Sequence, residues 1–323
     1  MKIELKLANE AQRVNLHYRH ANQAILWEVM PMQVDGTRCT AVIPAEYTQT
    51  RYPMTYYFSV DQGESGQALF PGLDEELAGM PYYVVLQKPL AAVTLPSKLV
   101  AGEWHSLFNG STLEGWHLAC LEEDRGKDYW RVSDGAIESY SLGDKDHDYI
   151  WLCSNNEYGD FELKLKFQAS QENIGNSGVQ VRSRYDDSKS APRGGWLDGP
   201  QVDIHPSDPW RNGLVYDETR GARGWIYPQL EGTKIGPDQV SNASPFKYAD
   251  EGDGWNDLHI VCEGTRLQTI VNGVVVCDQD FAGVLDSAAH QEHDVGMSGR
   301  IALQIHAQAE VKISFKDIYL KEI

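Results

Sequence analysis

The chain has 323 residues, 41% hydrophobic, 10% aromatic and 23% charged, a globular composition long enough for one large domain or a large and a small one. Its 28 basic and 47 acidic residues leave a net charge of −19, which repels polyanions and argues against nucleic acid and an anionic membrane surface as partners. No apolar run approaches the ~18 residues of a membrane span.

The first ten residues, "MKIELKLANE", alternate like a strand and lack the apolar core of a signal peptide. As it stands the sequence reads as cytoplasmic, and as secreted or periplasmic if a leader has been removed. Short alternating segments follow at 14–20, 24–30, 40–47, 54–60 and 82–87, with a loop at "PGLDEELAG" (71–79). Such spacing predicts a small sandwich of immunoglobulin or fibronectin type over residues 1–90. Residues 91–104 are rich in Pro and Ala and make a linker.

Residues 105–323 are again strand-rich. "FELKLKF" (161–167) sets Phe161, Leu163, Leu165 and Phe167 against Glu162, Lys164 and Lys166, an apolar face and a solvated one. Strand patterns recur at 177–184, 200–205, 213–218, 257–264, 266–278, 299–307 and 311–323, and Asn272-Gly273 signals a type I′ hairpin. Many strands and little helical periodicity predict a two-sheet jelly roll. Residues 186–199 and about 220–255 read as long loops, a common place for function. The five cysteines are widely spaced without a CxxC pair, so buried free thiols are expected and zinc is not indicated.

Three strands carry an unusual polar face. Gln180, Arg182 and Arg184 alternate with Val179 and Val181. Gln201, Asp203 and His205 alternate with Val202 and Ile204, and Gln304 and His306 with Leu303 and Ile305. Amide, carboxylate and imidazole heads hydrogen-bond directionally. Side by side they make a groove floor for a ligand dense in hydroxyls, above all a sugar, with Trp196, Trp210, Trp225 and Tyr227 available to cover the ring. No cofactor is called for. An acidic turn at "DEGDGW" (250–255) lacks the full EF-hand ligand spacing, so no metal site is assigned, although a bound calcium stays open, as do His205, Asp208, His290, His293 and Asp294 as ligands.

The ordered segments resemble a known family. "SLFNGSTLEGWHLA" (106–119), "WRVSDGAIES" (130–139), "NSGVQVRSR" (176–184), "GPQVDI" with "GLVYDETR" (199–220), "GWNDLHIVCEGTRLQTIVNG" (254–273) and "GRIALQIHA" (299–307) are similar, in order, to the 3-keto-disaccharide hydrolases. The chain departs at Pro200, where a common subtype has Tyr, and after His306, where Gly is usual. The resemblance implies an all-β protein whose larger part is a concanavalin A-like, lectin/glucanase-type jelly roll acting on 3-keto-glycosides; the N-terminal part resembles sandwich modules joined to such enzymes in some bacteria.

On that basis C2 proton abstraction and C1 leaving-group elimination need a base, an acid and an oxyanion stabiliser. His306 and Asp203 are the candidates for base and acid, and Arg182 for the stabiliser. Gln180, Gln201, Gln304, Tyr216, Glu218, Trp196 and Trp225 are candidates for holding substrate. Two other readings use the same groove: a non-catalytic, lectin-like carbohydrate-binding protein, and a conventional glycosidase with Asp203 and Glu218 as its two carboxylates.

Overall fold

The computed structural model describes residues 1–21, 26–44, 47, 53–63, 66–72, 82–85, 95, 99–171, 175–230, 234–240 and 245–323. The expected strand residues 24–25, 45–46 and 86–87, loop residues 73–79 and linker residues 91–94 and 96–98 lie outside these. The chain divides into two compact units, Met1–Pro89 and Leu90–Ile323.

The first unit has two small antiparallel sheets. One orders Lys2–Lys6, Arg38–Val42 and Gln33–Asp35; the other orders Glu28–Pro31, Arg13–His20, Met54–Asp61 and Gln67–Phe70, with Tyr83–Val85 also paired to Met54–Asp61. Alternation explains the core: Val14, Leu16 and Tyr18 point inward and meet Phe58, Val60, Cys39 and Ile43. The short strands Gln33–Asp35 and Gln67–Phe70 carry too weak a pattern to stand out in the sequence.

The second unit is the expected two-sheet sandwich, with eight strands in each sheet. One sheet orders Trp130–Ser133, Ala136–Tyr140, Lys312–Glu322, Phe161–Ala169, Asn256–Glu263, Arg266–Val271 and Val274–Asp280, with His105–Ser106 added beside Lys312–Glu322. Phe161, Leu163, Leu165 and Phe167 face the other sheet and are at most 2% exposed. The hairpin at Asn272-Gly273 has φ of 50° and 79°, the paired positive values that a type I′ turn needs.

The second sheet orders Trp116–Ala119, Ile150–Ser154, Arg300–Ile305, Ser177–Asp186, Pro200–Ile204, Val215–Asp217 and Gly224–Tyr227, with Trp196–Asp198 paired to Ser177–Asp186. Val179, Val181, Val202, Ile204, Leu303 and Ile305 form its inner layer, each at most 1% exposed. Its other face is therefore free to carry polar groups. Two strands, Trp196–Asp198 and Gly224–Tyr227, occupy stretches whose Gly, Pro and Asp content reads as loop. All five cysteines are buried free thiols. Among the described residues no helix is long and apolar enough to cross a membrane.

Candidate active site

Strand register sets the outer face of the second sheet in two rows. Ala302, Gln180, Gln201 and Tyr216 stand opposite one another in the first. Trp151, Gln304, Gly178 and Asp203 make the second, beginning at the facing pair Trp151 and Gln304 and ending at Gly178 and Asp203. Gly178 leaves room for a neighbour: a Cβ there would stand 2.5 Å from Gln201 Cδ. The Gln201 side chain thus crosses the Gly178 backbone, beside Asp203, with which it shares a hydrogen bond.

The floor is buried yet unsatisfied. Gln304 is 1% exposed and neither of its amide atoms has a partner among the described residues. The Oε1 atoms of Gln180 and Gln201 also lack one, although Gln180 Nε2 donates to the Leu197 carbonyl. Native interiors rarely leave such groups unpaired, because each costs about 1–3 kcal/mol. Three amides on one face fit a site that hydroxyl groups complete.

Two carboxyls stand on this face. Asp203 is 1% exposed and paired with Arg211 at 2.8 Å; Glu218 is 7% exposed and paired with Arg223 at 2.8 Å. Burial lifts the Asp203 carboxyl to about 6 against the pull of Arg211. It lifts Glu218 to about 7 against Arg223, helped by the charges of Asp217 and Asp203. Both groups therefore exchange protons near neutrality.

The imidazole of His306 lies at the sheet end, one step past the facing pair Ile150 and Ile305. Its Nδ1 donates to the Ala307 carbonyl at 2.9 Å, which leaves Nε2 as the acceptor for the Tyr149 hydroxyl at 3.1 Å. Burial holds this histidine below its ordinary pKa, and Arg193, Arg211 and Arg223 add to the effect, so the ring is neutral near pH 7. Burial pushes the Tyr149 hydroxyl up to about 12, so it stays a donor. His205, just past the end of the strand that carries Asp203, is pushed down to about 4, by burial first and then by Arg211.

Aromatic rings wall one side. Tyr149 stacks on Trp151 at 5.3 Å and meets Trp196 edge-on at 5.4 Å. Arg193 lies 5.5 Å above Tyr149 and grips Asp148 with two hydrogen bonds. Trp196 and Trp225 are each 3% exposed, with Arg223 at 4.6 Å and Arg211 at 5.2 Å from their respective rings. The Trp196 N–H is spent on the Glu218 carbonyl, and Trp225 packs edge-on against Tyr216. These two tryptophans and Tyr216 support the rim arginines and offer no open face to a sugar.

Gln180, Gln201, Asp203, Gln304, His306, Tyr216 and Glu218 thus share one face, but Arg182 does not. A β-bulge between Gln180 and Ser183, with Arg182 at φ 49°, breaks the alternation that placed Arg182 beside Gln180. The guanidinium instead binds the carbonyls of Gly159, Gly264 and Gly296 and the carboxylate of Asp160. With four hydrogen bonds made and 1% exposure, Arg182 ties the two sheets together and does not reach the groove.

Residue-type reasoning missed Tyr149, Trp151, Arg211 and Arg223. The first two were legible, since Tyr149, Trp151 and Cys153 alternate in "HDYIWLCS" as the other groove strands do. Arg211 and Arg223 come from connections whose path no periodicity gives. Of the residues raised as metal ligands, His290 lies against Asp217 and His293 against Arg220. Among the described residues no group of three His, Cys, Asp or Glu side chains is placed to hold an ion.

A model of the 3-keto-alpha-glucoside-1,2-lyase-like domain matches residues 103–321. The chain belongs to this family. Its matched region covers the whole groove, so the paired rows, the two raised carboxyls and the Tyr149–His306 pair are features of a carbohydrate-active, lyase-like domain. No curated protein matches the chain. Among solved structures, a Parabacteroides distasonis protein described as a candidate glycosyl hydrolase is 23% identical over 69% of this chain and 100% of its own, with a TM-score of 0.41. A second from the same organism is 18% identical over 68% and 94%, also at 0.41. A family 66 carbohydrate-binding module of Bacillus subtilis is 16% identical over 64% and 96%, at 0.39. Likenesses of this size bear on neither substrate nor mechanism.

Proposed function

We propose that the lyase-like domain cleaves 3-keto-glycosides by removing the C2 proton and eliminating the C1 substituent. The observation that carries this reading is the convergence, over unsatisfied amides, of a neutral histidine with two carboxyls that titrate near pH 7. A ketone at C3 acidifies the C2–H bond. His306 takes that proton at Nε2, once the Tyr149 hydroxyl turns toward the sugar. The C2–H electron pair forms a C2–C3 double bond and places negative charge on the C3 oxygen. Arg211 or Arg223, in place of Arg182, is the cation that meets this oxygen.

The enolate then reforms the ketone. A C1–C2 double bond forms, the C1–O bond breaks, and the departing oxygen takes a proton from Glu218. Adding water across the double bond, oxygen at C1 and hydrogen at C2, gives net hydrolysis. Asp203, held by Arg211 and Gln201, is placed to bind a hydroxyl and to raise Glu218 by its charge.

One observation favours a second reading. Asp203 lies close enough to Glu218 to raise its carboxyl, and a conventional glycosidase also sets two carboxyls in one site. Two substrates that differ only at C3 separate the readings. The 3-keto-glucoside with a chromogenic leaving group is expected to be cleaved, and the unoxidised glucoside to stay intact. Equal release from both would transfer the reaction to the carboxyl pair. Binding of both without release would leave a lectin-like domain.

A further inference from the structure

Glu218 belongs to a segment, Asp217–Arg220, whose other side chains all turn away from the groove into a closed network. Asp217 Oδ1 accepts from the Thr219 N–H at 3.0 Å, and Asp217 Oδ2 lies 3.1 Å from His290 Nε2. Thr219 Oγ1 lies 3.2 Å from that same nitrogen, and Ser287 Oγ is 2.9 Å from His290 Nδ1. Asp217, Thr219 and His290 are each 0% exposed. Arg220 closes the far end with hydrogen bonds from its backbone and guanidinium to Asp198 and an ion pair to Asp186. The Glu218 backbone is fixed as well, its N–H on the Gly199 carbonyl and its C=O under the Trp196 N–H.

The geometry points to His290 as a positioning residue: its imidazole, seated between Ser287 and the Asp217–Thr219 pair, fixes the backbone from which Glu218 reaches the sugar. The inference rests on the reading of Glu218 as the acid. His290 touches residues on both sides of Glu218, so any rotation of the segment that loses its contacts also swings the carboxyl. The seat itself is tight. A Cβ on Gly296 would stand 2.7 Å from His290 Cδ2, so the ring cannot shift toward that turn. Nε2 shares a hydrogen bond with the Thr219 hydroxyl and Nδ1 one with the Ser287 hydroxyl, while Asp217 Oδ2 lies beside Nε2 and accepts none among the described residues. Glu218 is faced by Arg223, Asp217, Asp203, Tyr149 and Tyr216, and Asp217 is the one among them that His290 touches. Losing His290 therefore alters both the aim of Glu218 and the field at its carboxyl.

A role confined to packing would lower the melting temperature and leave the kinetics of the folded enzyme alone. The test measures kcat, KM and the pH profile of kcat on the chromogenic 3-keto-glucoside, with thermal unfolding in parallel. His290→Ala is expected to lower kcat by roughly 10- to 100-fold with little change in KM, and to move the alkaline limb of the profile. His290→Gln, whose amide can hydrogen-bond the Thr219 and Ser287 hydroxyls, is expected to recover most of that loss. Thr219→Val removes one hydroxyl contact without emptying the seat, and is expected to fall between wild type and His290→Ala even if the alanine variant does not fold. Wild-type kcat and an unmoved limb in Thr219→Val and His290→Ala would overturn the inference. So would losses in His290→Ala and His290→Gln that merely follow the unfolded fraction. Undiminished kcat in Glu218→Gln is a different failure: it would remove the acid role, and His290's with it.

Discussion

His306→Ala is expected to lower kcat on a 3-keto-glucoside by roughly 10²- to 10⁴-fold, the usual contribution of a positioned general base. The neighbouring structure should survive, since the ring's two hydrogen bonds go to the Ala307 carbonyl and the Tyr149 hydroxyl, at the end of its strand. Binding of an unoxidised glucoside, followed by titration calorimetry, should change little, because the amide floor is intact. The same assignment fixes the pH dependence. His306 must be neutral, and burial keeps it so down to below its ordinary value. Glu218 must be protonated, which holds below about 7. Activity should therefore peak in mildly acidic solution and fall as pH rises through 7. In Glu218→Gln that alkaline limb should disappear along with most of kcat. A profile rising steadily to pH 9 would contradict the acid role.

Arg182→Met is expected to destabilise the second unit by about 3 kcal/mol or more while leaving the activity of the folded enzyme within a few-fold of wild type. The guanidinium satisfies three backbone carbonyls and pairs with Asp160. Each buried acceptor left without its donor costs about 1–3 kcal/mol. Gly299 shows how closely this corner is built, since a Cβ there would stand 2.5 Å from the Arg182 carbonyl carbon. Urea unfolding followed by tryptophan fluorescence reads this unit well, because Trp27 is the one tryptophan of the first 89 residues among nine in the chain. A variant of wild-type stability that had lost kcat would return Arg182 to the groove.

Arg182 also shows where reading the sequence stops. Period-two alternation placed Gln180, Gln201, Asp203, Gln304 and His306 on one face correctly, because strand parity holds wherever the backbone stays extended. It failed two residues after Gln180, because a bulge is a local change of backbone that residue types do not announce, least of all when the residue at positive φ is an arginine. The tryptophans failed for another reason. Composition shows that Trp196 and Trp225 are available, but whether an indole face is open depends on which arginine lies against it. The hairpin at Asn272-Gly273 was legible because its turn chemistry is local. The raised ionisation of Asp203 and Glu218 was not legible, because it arises from burial, which only the packed sheet supplies.

The same burial makes the site costly to the fold. A carboxyl whose pKa is raised on folding contributes stability below its unfolded value and loses it as pH rises through the folded one. For Asp203 that window runs from about 4 to about 6, and for Glu218 up to about 7. Asp203→Asn is accordingly expected to gain in melting temperature relative to wild type at pH 8 and not at pH 4, with the loss of the Arg211 pair limiting the gain.

The elimination route makes a claim that no displacement mechanism shares, namely that the C2–H bond breaks in every turnover. The most direct measurement is cleavage of a 3-keto-glucoside in deuterium oxide, with the released sugar analysed by proton NMR before solvent exchange sets in. The account predicts deuterium at C2 from the earliest product. A released sugar that keeps its C2 proton would contradict it and point to direct displacement at C1 by the carboxyl pair.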